Sequence, residues 1–286
     1  MTASTPATHQ PDPSLPPAWA GIVDDAAIFP PGDLPLDEAL AAHPAHRRTG
    51  LVGSFVARDT DLPDLAALAH PVSVVVTGGA GQLVGPLTLA ARSGLTLAGV
   101  EIALRDLDDL PGNARRVVAA VDTARAEGVL DDDTPVHVEL PGRVGAGWLR
   151  AADEVAAVEL RLKLRTGAPD GSLPADEADL AEKIDAALDR ETPFKCTAGL
   201  HRAVRHDDQH GFANVLLATR RAFDGAGREE VVATLAERDG ATLAAALLAE
   251  DALAGARRWF TSFGSCSVDE PLADLRALGL LGEQGA

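Results

Sequence analysis

Short apolar runs alternate with longer amphipathic stretches along this chain. The apolar runs predict eight strands, at 21–28, 51–57, 72–77, 97–104, 135–140, 158–165, 194–199 and 259–265. The amphipathic stretches predict helices at 36–42, 62–69, 83–91, 113–127, 146–152, 175–188, 212–254 and 270–278. Eight strand–helix alternations predict an α/β fold, a single (β/α)8 TIM barrel. The stretch 212–254 has room for two or three helices, so we expect a helical insertion after the seventh strand.

A doubly wound open sheet is the competing fold. Such a sheet ordinarily carries a glycine-rich phosphate turn directly after its first strand, where this chain has Ile28-Phe-Pro-Pro-Gly32. A Thr77-Gly-Gly-Ala-Gly81 turn follows the third strand instead, and a bare glycine turn there is more typical of a tight loop. The barrel is therefore the favoured fold.

The chain has 286 residues, a length that one barrel domain accommodates. Residues 1–18 are rich in Thr, Ser, Pro and His, which predicts a flexible N-terminal arm and leaves 19–286 for the barrel domain. No basic patch precedes an apolar stretch at the N-terminus, so we expect no signal peptide. Two cysteines do not make a disulfide framework, which fits a cytoplasmic protein.

The formal net charge of −18 disfavours nucleic acid and anionic membrane as partners, because both repel an acidic surface. No apolar run approaches the roughly 18 residues that a membrane span needs. We therefore expect a small-molecule partner, and the sequence leaves open whether the chain forms a homo-oligomer.

Side-chain alternation predicts charged groups inside the barrel. Only three of the 25 lysine and arginine residues are lysines, and Lys163 and Lys195 both lie in predicted strands. In the sixth strand one face is apolar, with Val158, Leu160, Leu162 and Leu164. The opposite face is charged, with Glu159, Arg161, Lys163 and Arg165. The apolar face belongs under the helices, so the charged face points into the lumen.

The same alternation assigns further polar side chains to the lumen. These are Glu101 of the fourth strand, His137 and Glu139 of the fifth, and Lys195 and Thr197 of the seventh. Asp24 or Asp25 joins from the first strand, whose alternation the sequence leaves open. Buried charges are costly unless paired, so a structural ion-pair plug of Glu139, Glu159 and Arg161 is one explanation. Lys163, Arg165 and Lys195 stand near the C-terminal strand ends, where this fold places catalytic groups.

Three motifs carry a family resemblance. Lys163-Leu-Arg-Thr-Gly167 and Lys195-Cys-Thr-Ala-Gly199 resemble the paired sixth- and seventh-strand lysine motifs of deoxyribose-phosphate aldolase and related class I aldolases. Phe263-Gly-Ser-Cys-Ser267 resembles that family's phosphate turn, and Ala198-Gly199 departs from its glycine pair. The resemblance implies a lyase in which Lys163 forms a Schiff base with a carbonyl compound and Lys195 keeps the amine reactive.

The residues themselves fit such chemistry. A Schiff base requires a neutral amine, and the nearby cations Arg165 and Lys195 favour one on Lys163. A carboxylate must then move protons, for which Glu139, Glu101 and Asp25 are the candidates. The expected catalytic set is thus Lys163, Lys195, Glu139, Glu101 and Asp25, with no cofactor.

The loop after the seventh strand supports two readings. Arg202 and Arg205 with His201 form a local anion trap in an acidic protein, which favours a phosphate- or carboxylate-bearing substrate. The alternative is a metal-dependent hydrolase or isomerase that uses His201, His206 and His210 as ligands, although adjacent arginines repel a cation. We expect no metal.

The eighth-strand motif completes the expected substrate site. Ser267 and Glu270 predict a capping box at the start of the last helix, whose N-terminus together with the Gly264 turn would hold an anion. The cysteines are expected to be buried and free, with Cys196 facing away from the lumen. The expected substrate-binding residues are Arg165, Thr197, His201, Arg202, Arg205, Gly264, Ser265 and Ser267. A non-catalytic anion-binding barrel is the remaining alternative, in which the same cations hold a ligand and no reaction follows.

Overall fold

Eight parallel strands close into a barrel in the computed structural model, which describes residues 15–65, 68–167 and 176–281. The strands are β1 (Val23–Asp25), β2 (Val52–Arg58), β3 (Val72–Val76), β4 (Leu97–Ala103), β5 (Val136–Glu139), β6 (Arg161–Arg165), β7 (Phe194–Thr197) and β8 (Phe260–Ser265). Each strand pairs with the next, and β1 pairs with β8, all in parallel. The predicted (β/α)8 TIM barrel is confirmed, and the open sheet is excluded.

Helices cover the outside of the barrel. They are α1 (Leu36–Arg48), α2 (Val84–Arg92), α3 (Leu110–Ala126), α4 (Ala146–Ala156), α5 (Glu177–Leu188), α6 (Phe212–Phe223), α7 (Arg228–Ala236), α8 (Gly240–Leu248) and α9 (Asp269–Ala277). The predicted insertion after β7 is confirmed, because α6, α7, α8 and a 3-10 helix at Leu253–Arg258 separate β7 from β8. None of the helices in the described ranges is long and apolar enough to cross a membrane.

The helix predicted at 62–69 is replaced by a 3-10 helix at Asp59–Leu65. Pro63 lies inside it, and proline removes a backbone donor that a continuing α-helix needs. Asp59 at its start accepts hydrogen bonds from the backbone N and the Oγ1 of Thr77, at 2.9 and 2.6 Å. The segment thus ties the end of β2 to the end of β3.

The core lies between the barrel and its helices. The outward side chains of the strands, such as Leu162 and Val138, are fully buried beneath helical residues such as Trp148. The inward positions are mostly polar, so the lumen is the place where charge concentrates. This division follows the side-chain alternation read from β5 and β6.

The chain before β1 packs on the barrel from residue 15 onward. Leu15, Ala18 and Trp19 are buried in the core, and Arg257 donates hydrogen bonds to the carbonyl oxygens of Ala18 and Ala20 at 3.1 and 3.0 Å. Residues 15–18, expected as part of the arm, therefore belong to the packed structure. The rest of the expected arm, 1–14, lies outside the described residues.

Candidate active site at the C-terminal mouth

A cavity of about 270 Å³ opens at the C-terminal end of the barrel. Its β1–β3 side is largely apolar, and its β4 and β6–β8 sides carry charged and polar groups. It is lined by Ala26, Phe29, Pro30, Val56, Val75, Glu101, Lys163, Arg165, Lys195, Thr197, Ala198, His201, Gly264 and Cys266. This face is where (β/α)8 enzymes hold their substrates.

Lys195 forms the buried end of a lumen ion-pair chain. Its Nζ lies 2.6 Å from Asp24 Oδ2 and 2.6 Å from Glu101 Oε1, and the residue is 2% exposed. Hydroxyls of Ser54 and Ser262 donate to Asp24 at 2.7 and 2.6 Å. Burial lowers the pKa of Lys195, but Asp24 and Glu101 outweigh burial and raise that pKa above its usual value. Lys195 therefore stays protonated.

Lys163 continues the chain toward the cavity. Its Nζ lies 2.9 Å from Glu101 Oε2 and 3.1 Å from Glu139 Oε2. Glu139 Oε1 in turn accepts a hydrogen bond from Arg165 Nε at 2.7 Å. Lys163 and Lys195 stand opposite each other in the β6–β7 register, but the Glu101 carboxylate lies between their ammonium groups. The two lysines thus do not meet as an uncompensated pair of like charges.

The carboxylates of this chain are held ionised. Burial raises the pKa of Glu101, yet Lys163 and Lys195 outweigh burial and hold it well below the usual range. Burial likewise raises the pKa of Glu139, while Lys163 and Arg165 lower it, with a net lowering. Each carboxylate that faces Lys163 is therefore ionised at neutral pH.

The glycines of the two lysine motifs bring β6 and β7 together at the mouth. A Cβ on Gly167 would lie 3.2 Å from the Cα of Gly199, and Gly199 has a φ of +75°. Thr166 Oγ1 donates to the carbonyl oxygen of Ala198 at 2.5 Å. The motifs thus also have a structural role, because their glycines and Thr166 hold the C-terminal ends of the lysine-bearing strands in contact.

His201 reaches the cavity and faces the β8 turn. Its Nδ1 lies 3.4 Å from Ser265 Oγ and 3.5 Å from Cys266 Sγ. Burial lowers the pKa of His201, and burial raises the pKa of Cys266. Both groups are therefore neutral at pH 7, and the imidazole offers a hydrogen bond to a ligand without a charge.

The β8 turn is only partly available to an anion. Gly264 lines the cavity, but Ser265 Oγ is buried and donates to the carbonyl oxygen of Ser267 at 2.6 Å. Ser267 Oγ accepts a hydrogen bond from the backbone N of Glu270 at 3.3 Å, which is one of the two bonds of the expected capping box, whereas the backbone N of Ser267 donates to Ser265 Oγ instead of to Glu270. Both serine hydroxyls thus have internal partners, whereas Thr197 and Gly264 face the cavity.

Asp25 does not enter the lumen, contrary to expectation. Its Oδ2 lies 2.8 Å from Nδ1 of both His43 and His46, which belong to α1. Burial raises the pKa of Asp25, but the two imidazoles outweigh burial and lower it. Asp24 is the lumen carboxylate of β1, because alternation places only one of two successive residues inside the barrel.

Neither arginine of the expected anion trap reaches the cavity. Arg202 binds Asp274 of α9 through Nε and an Nη atom, both at 2.8 Å. Arg205 is buried and binds Glu177 at 2.5 Å and the carbonyl oxygen of Gln209 at 3.1 Å. Their charges fasten the loop to neighbouring helices, so the expected role in substrate binding is wrong for both.

The three loop histidines do not converge on one point. His201 lines the mouth cavity, His206 lines a separate surface groove, and His210 lines a third cavity beside α5. The described ranges contain no group of three His, Cys, Asp or Glu side chains arranged to hold a metal ion. The loop therefore does not form the metal site of the alternative reading.

Sequence reasoning missed three lumen serines. Ser54, Ser73 and Ser262 form a hydrogen-bonded group with Asp24 beneath Lys195, with Ser54 Oγ 2.9 Å from Ser73 Oγ. For Ser54 and Ser73, the available signal was a single serine within a largely apolar strand. The prediction that Glu159 forms buried ion pairs with other charged residues in the lumen is wrong, because Glu159 precedes β6 and is exposed.

Comparisons with known proteins leave the family open. No protein-family model matches the chain, and no curated protein matches it. Among solved structures, the chain is similar to a Yersinia pestis DHPS with a pterine-sulfa conjugate, at 12% identity and a TM-score of 0.45, over 93% of this chain and 95% of that chain. A likeness at that identity and TM-score assigns neither a substrate nor a site residue to the present chain.

Proposed function

We propose that this chain is a Schiff-base-forming lyase of the aldolase type that acts on a small carbonyl compound, with Lys163 as the nucleophile. The observation that carries the proposal is the placement of Lys163 Nζ in the mouth cavity, 2.9 Å from Glu101 and 3.1 Å from Glu139. An amine, two bases and a cavity are the groups that imine chemistry needs in one place. The resemblance of the lysine motifs to those of class I aldolases supports the same reaction.

Charge sharing favours Lys163 over Lys195 as the nucleophile. Lys195 is bound by Asp24, which forms no second ion pair among the described residues, and by Glu101. Both carboxylates of Lys163 are shared with another cation, Glu101 with Lys195 and Glu139 with Arg165. The positive charge of Lys163 is thus the less fully compensated of the two, which favours Lys163 as the nucleophile.

The residues supply the steps as follows. Lys163 passes a proton to Glu139 or Glu101, and the free amine attacks the substrate carbonyl. The carbinolamine loses water with a proton returned by the same carboxylate. The carboxylate then takes the proton of the substrate's β-hydroxyl while the carbon–carbon bond breaks, so that the hydroxyl-bearing carbon leaves as a carbonyl compound and the iminium accepts the electron pair as an enamine. Return of the proton to the enamine carbon and hydrolysis of the imine by water release the second product and free Lys163. Lys195 stays protonated and fixes Glu101 throughout. Thr197 and His201 offer neutral hydrogen bonds to the substrate, and Arg165, whose Nε binds Glu139, offers its other N–H groups.

Borohydride trapping tests this function. The protein is incubated with a panel of aldehydes and 2-ketoacids, reduced, digested and mapped by mass spectrometry. We expect an adduct on Lys163 that is absent in Lys163→Arg, since arginine keeps the charge but forms no imine. The third lysine, Lys183, is an internal control because it does not line the mouth cavity and its Nζ lies 2.7 Å from Asp179 Oδ2. An adduct on Lys195 would exchange the roles, and no adduct on either lysine would overturn the proposal.

A non-catalytic anion-binding barrel is the second candidate. The raised pKa of Lys195 and the ion pairs of Lys163 favour it, because a binding protein keeps such amines charged. This candidate predicts saturable binding of carboxylates or phosphates with no lysine adduct from any carbonyl compound. The trapping experiment separates the two candidates directly.

A further inference from the structure

A second cavity of about 320 Å³ lies beside the mouth cavity, and we call it the side cavity. The two cavities share one lining residue, Arg165, whose side chain is 43% exposed. The side cavity is built by the end of β5, the end of β6, the first turns of α5 and His210. Its wall includes Glu139, which also faces Lys163. A ligand bound at Lys163 in the mouth cavity could therefore extend past Arg165 into the side cavity.

The charges in the side cavity compensate one another. Among the described residues, three cations and three carboxylates line it, and they form three ion pairs, namely Arg165 with Glu139, Lys183 with Asp179 and Arg143 with Asp176. A phosphate or an ammonium group would therefore meet a carboxylate or a cation that is already paired, and would have to displace it. Charge balance of this kind favours a neutral ligand.

Two buried polar atoms of this cavity lack partners. Asp179 Oδ2 is held by Lys183 Nζ at 2.7 Å, whereas Asp179 Oδ1 has no hydrogen-bond partner among the described residues. His210 is 1% exposed, and its Nδ1 likewise has no partner in the described part of the chain. Burial lowers the pKa of His210 to about 4, so its ring is neutral at pH 7. Buried polar atoms without partners are costly, so a ligand in the side cavity that supplied these hydrogen bonds would be stabilised there.

We infer that the side cavity binds the hydroxylated, uncharged end of the substrate, and that the substrate is therefore a polyhydroxy aldehyde or ketone. A carboxylate oxygen needs a donor, and a neutral imidazole nitrogen needs a donor or an acceptor according to its tautomer. A hydroxyl group supplies both, whereas the dianion of a phosphate ester supplies only acceptors. This inference rests on the proposed function for the carbonyl end, which would lie at Lys163 while the hydroxyls extend past Arg165.

Binding of neutral polyols tests the side cavity without any reaction. Erythritol and xylitol are titrated into the whole protein and followed by calorimetry or ligand-observed NMR, with inorganic phosphate as the charged comparison. We expect the polyols to bind at millimolar concentration and phosphate to leave them undisplaced. Absence of polyol binding up to 100 mM, or displacement by phosphate, would overturn the inference.

Two variants locate the bound polyol. His210→Phe keeps a ring and removes the unpartnered nitrogen, and Asp179→Asn replaces the acceptor by an amide should the first variant fold poorly. Each is expected to weaken polyol binding about five- to tenfold, the usual effect of one lost hydrogen bond. The matched control is His206→Phe, since His206 also has an Nδ1 without a partner among the described residues but lines a different groove. Equal weakening by His206→Phe would refute the location.

The trapping experiment separates failure of this inference from failure of the proposed function. If Lys163 is trapped equally well by hydroxylated and plain aldehydes and polyols do not compete, imine chemistry stands and the side cavity has no such role. If polyols bind in a His210-dependent manner and no lysine is ever trapped, the binding site stands and the lyase function falls. Competition of xylitol with trapping by a hydroxylated aldehyde supports both.

Discussion

Removal of the Glu101 charge is the sharpest test of the lumen network. Glu101 is 2% exposed, and its two oxygens bind the ammonium groups of Lys195 at 2.6 Å and Lys163 at 2.9 Å. Glu101→Gln keeps the shape of the side chain but leaves both buried cations with one carboxylate each, Asp24 and Glu139. The cost therefore comes from buried charge that has lost part of its compensation.

The magnitude follows from that geometry. Loss of one partner of a buried ion pair costs about 3–5 kcal/mol of unfolding free energy. For a domain of this size, 1 kcal/mol corresponds to about 2–4 °C in Tm, so we expect Tm to fall by roughly 6–20 °C. The pKa of Glu101 is lowered in the folded state, so its contribution is fully present above its unfolded pKa of about 4.3, begins to decrease below that value and is lost as pH falls through the lower folded pKa.

Thermal unfolding followed by circular dichroism measures the effect at pH 7.5 and at pH 4. The matched control is Glu154→Gln, because Glu154 forms an exposed ion pair with Arg115 at 2.7 Å, for which we expect less than about 1 kcal/mol. The Tm difference between wild type and Glu101→Gln should narrow at the lower pH. If Glu101→Gln lowers Tm no more than Glu154→Gln at pH 7.5, the ion pairs of Glu101 do not stabilise the barrel by the expected amount.

Two further predictions concern residues outside the cavity. The hydrogen bond that His46 donates to Asp25 raises the pKa of His46, so the stability that His46 contributes is complete below its unfolded pKa of about 6.5 and is lost as pH rises through the folded value. In urea unfolding, His46→Gln should therefore lower the free energy of unfolding more at pH 6 than at pH 8.5. An equal loss of unfolding free energy at both pH values would contradict this prediction. Arg202→Gln should leave trapping at Lys163 unchanged and lower the unfolding free energy by less than about 1 kcal/mol, since Arg202 binds Asp274 at the surface; a loss of trapping would restore Arg202 to the site.

Several site residues could be predicted because a strand has a two-residue period. The alternation in β6 separates Lys163 from Leu162, and the same reasoning places Glu101 and Glu139 in the lumen, as observed. The period failed at β1, which has only three residues, Val23–Asp25, and two successive aspartates. Only the pairing of Asp24 with Gly264 of β8 settles which aspartate faces inward.

The loop after β7 was mispredicted for a different reason. Local enrichment in arginine and histidine suggested an anion trap, but charge content does not say where a side chain finds its partner. Asp274 comes from α9 and Glu177 from α5, far from Arg202 and Arg205 in sequence. The sequence likewise identified His210 as a candidate ligand. Only the tertiary structure shows that it lies beside α5 and that its Nδ1 lacks a partner among the described residues.

The sequence by itself determined the barrel, the insertion after β7 and the polar lumen, because each depends on periodicity within one strand or helix. Only the tertiary structure decided which charges meet: Glu101 between Lys163 and Lys195, Asp25 against α1 and Arg202 against α9. Such contacts join residues that are distant in sequence, and the energy of a buried ion pair depends on distance and desolvation that no local pattern contains. The chemistry proposed for Lys163 rests on those contacts.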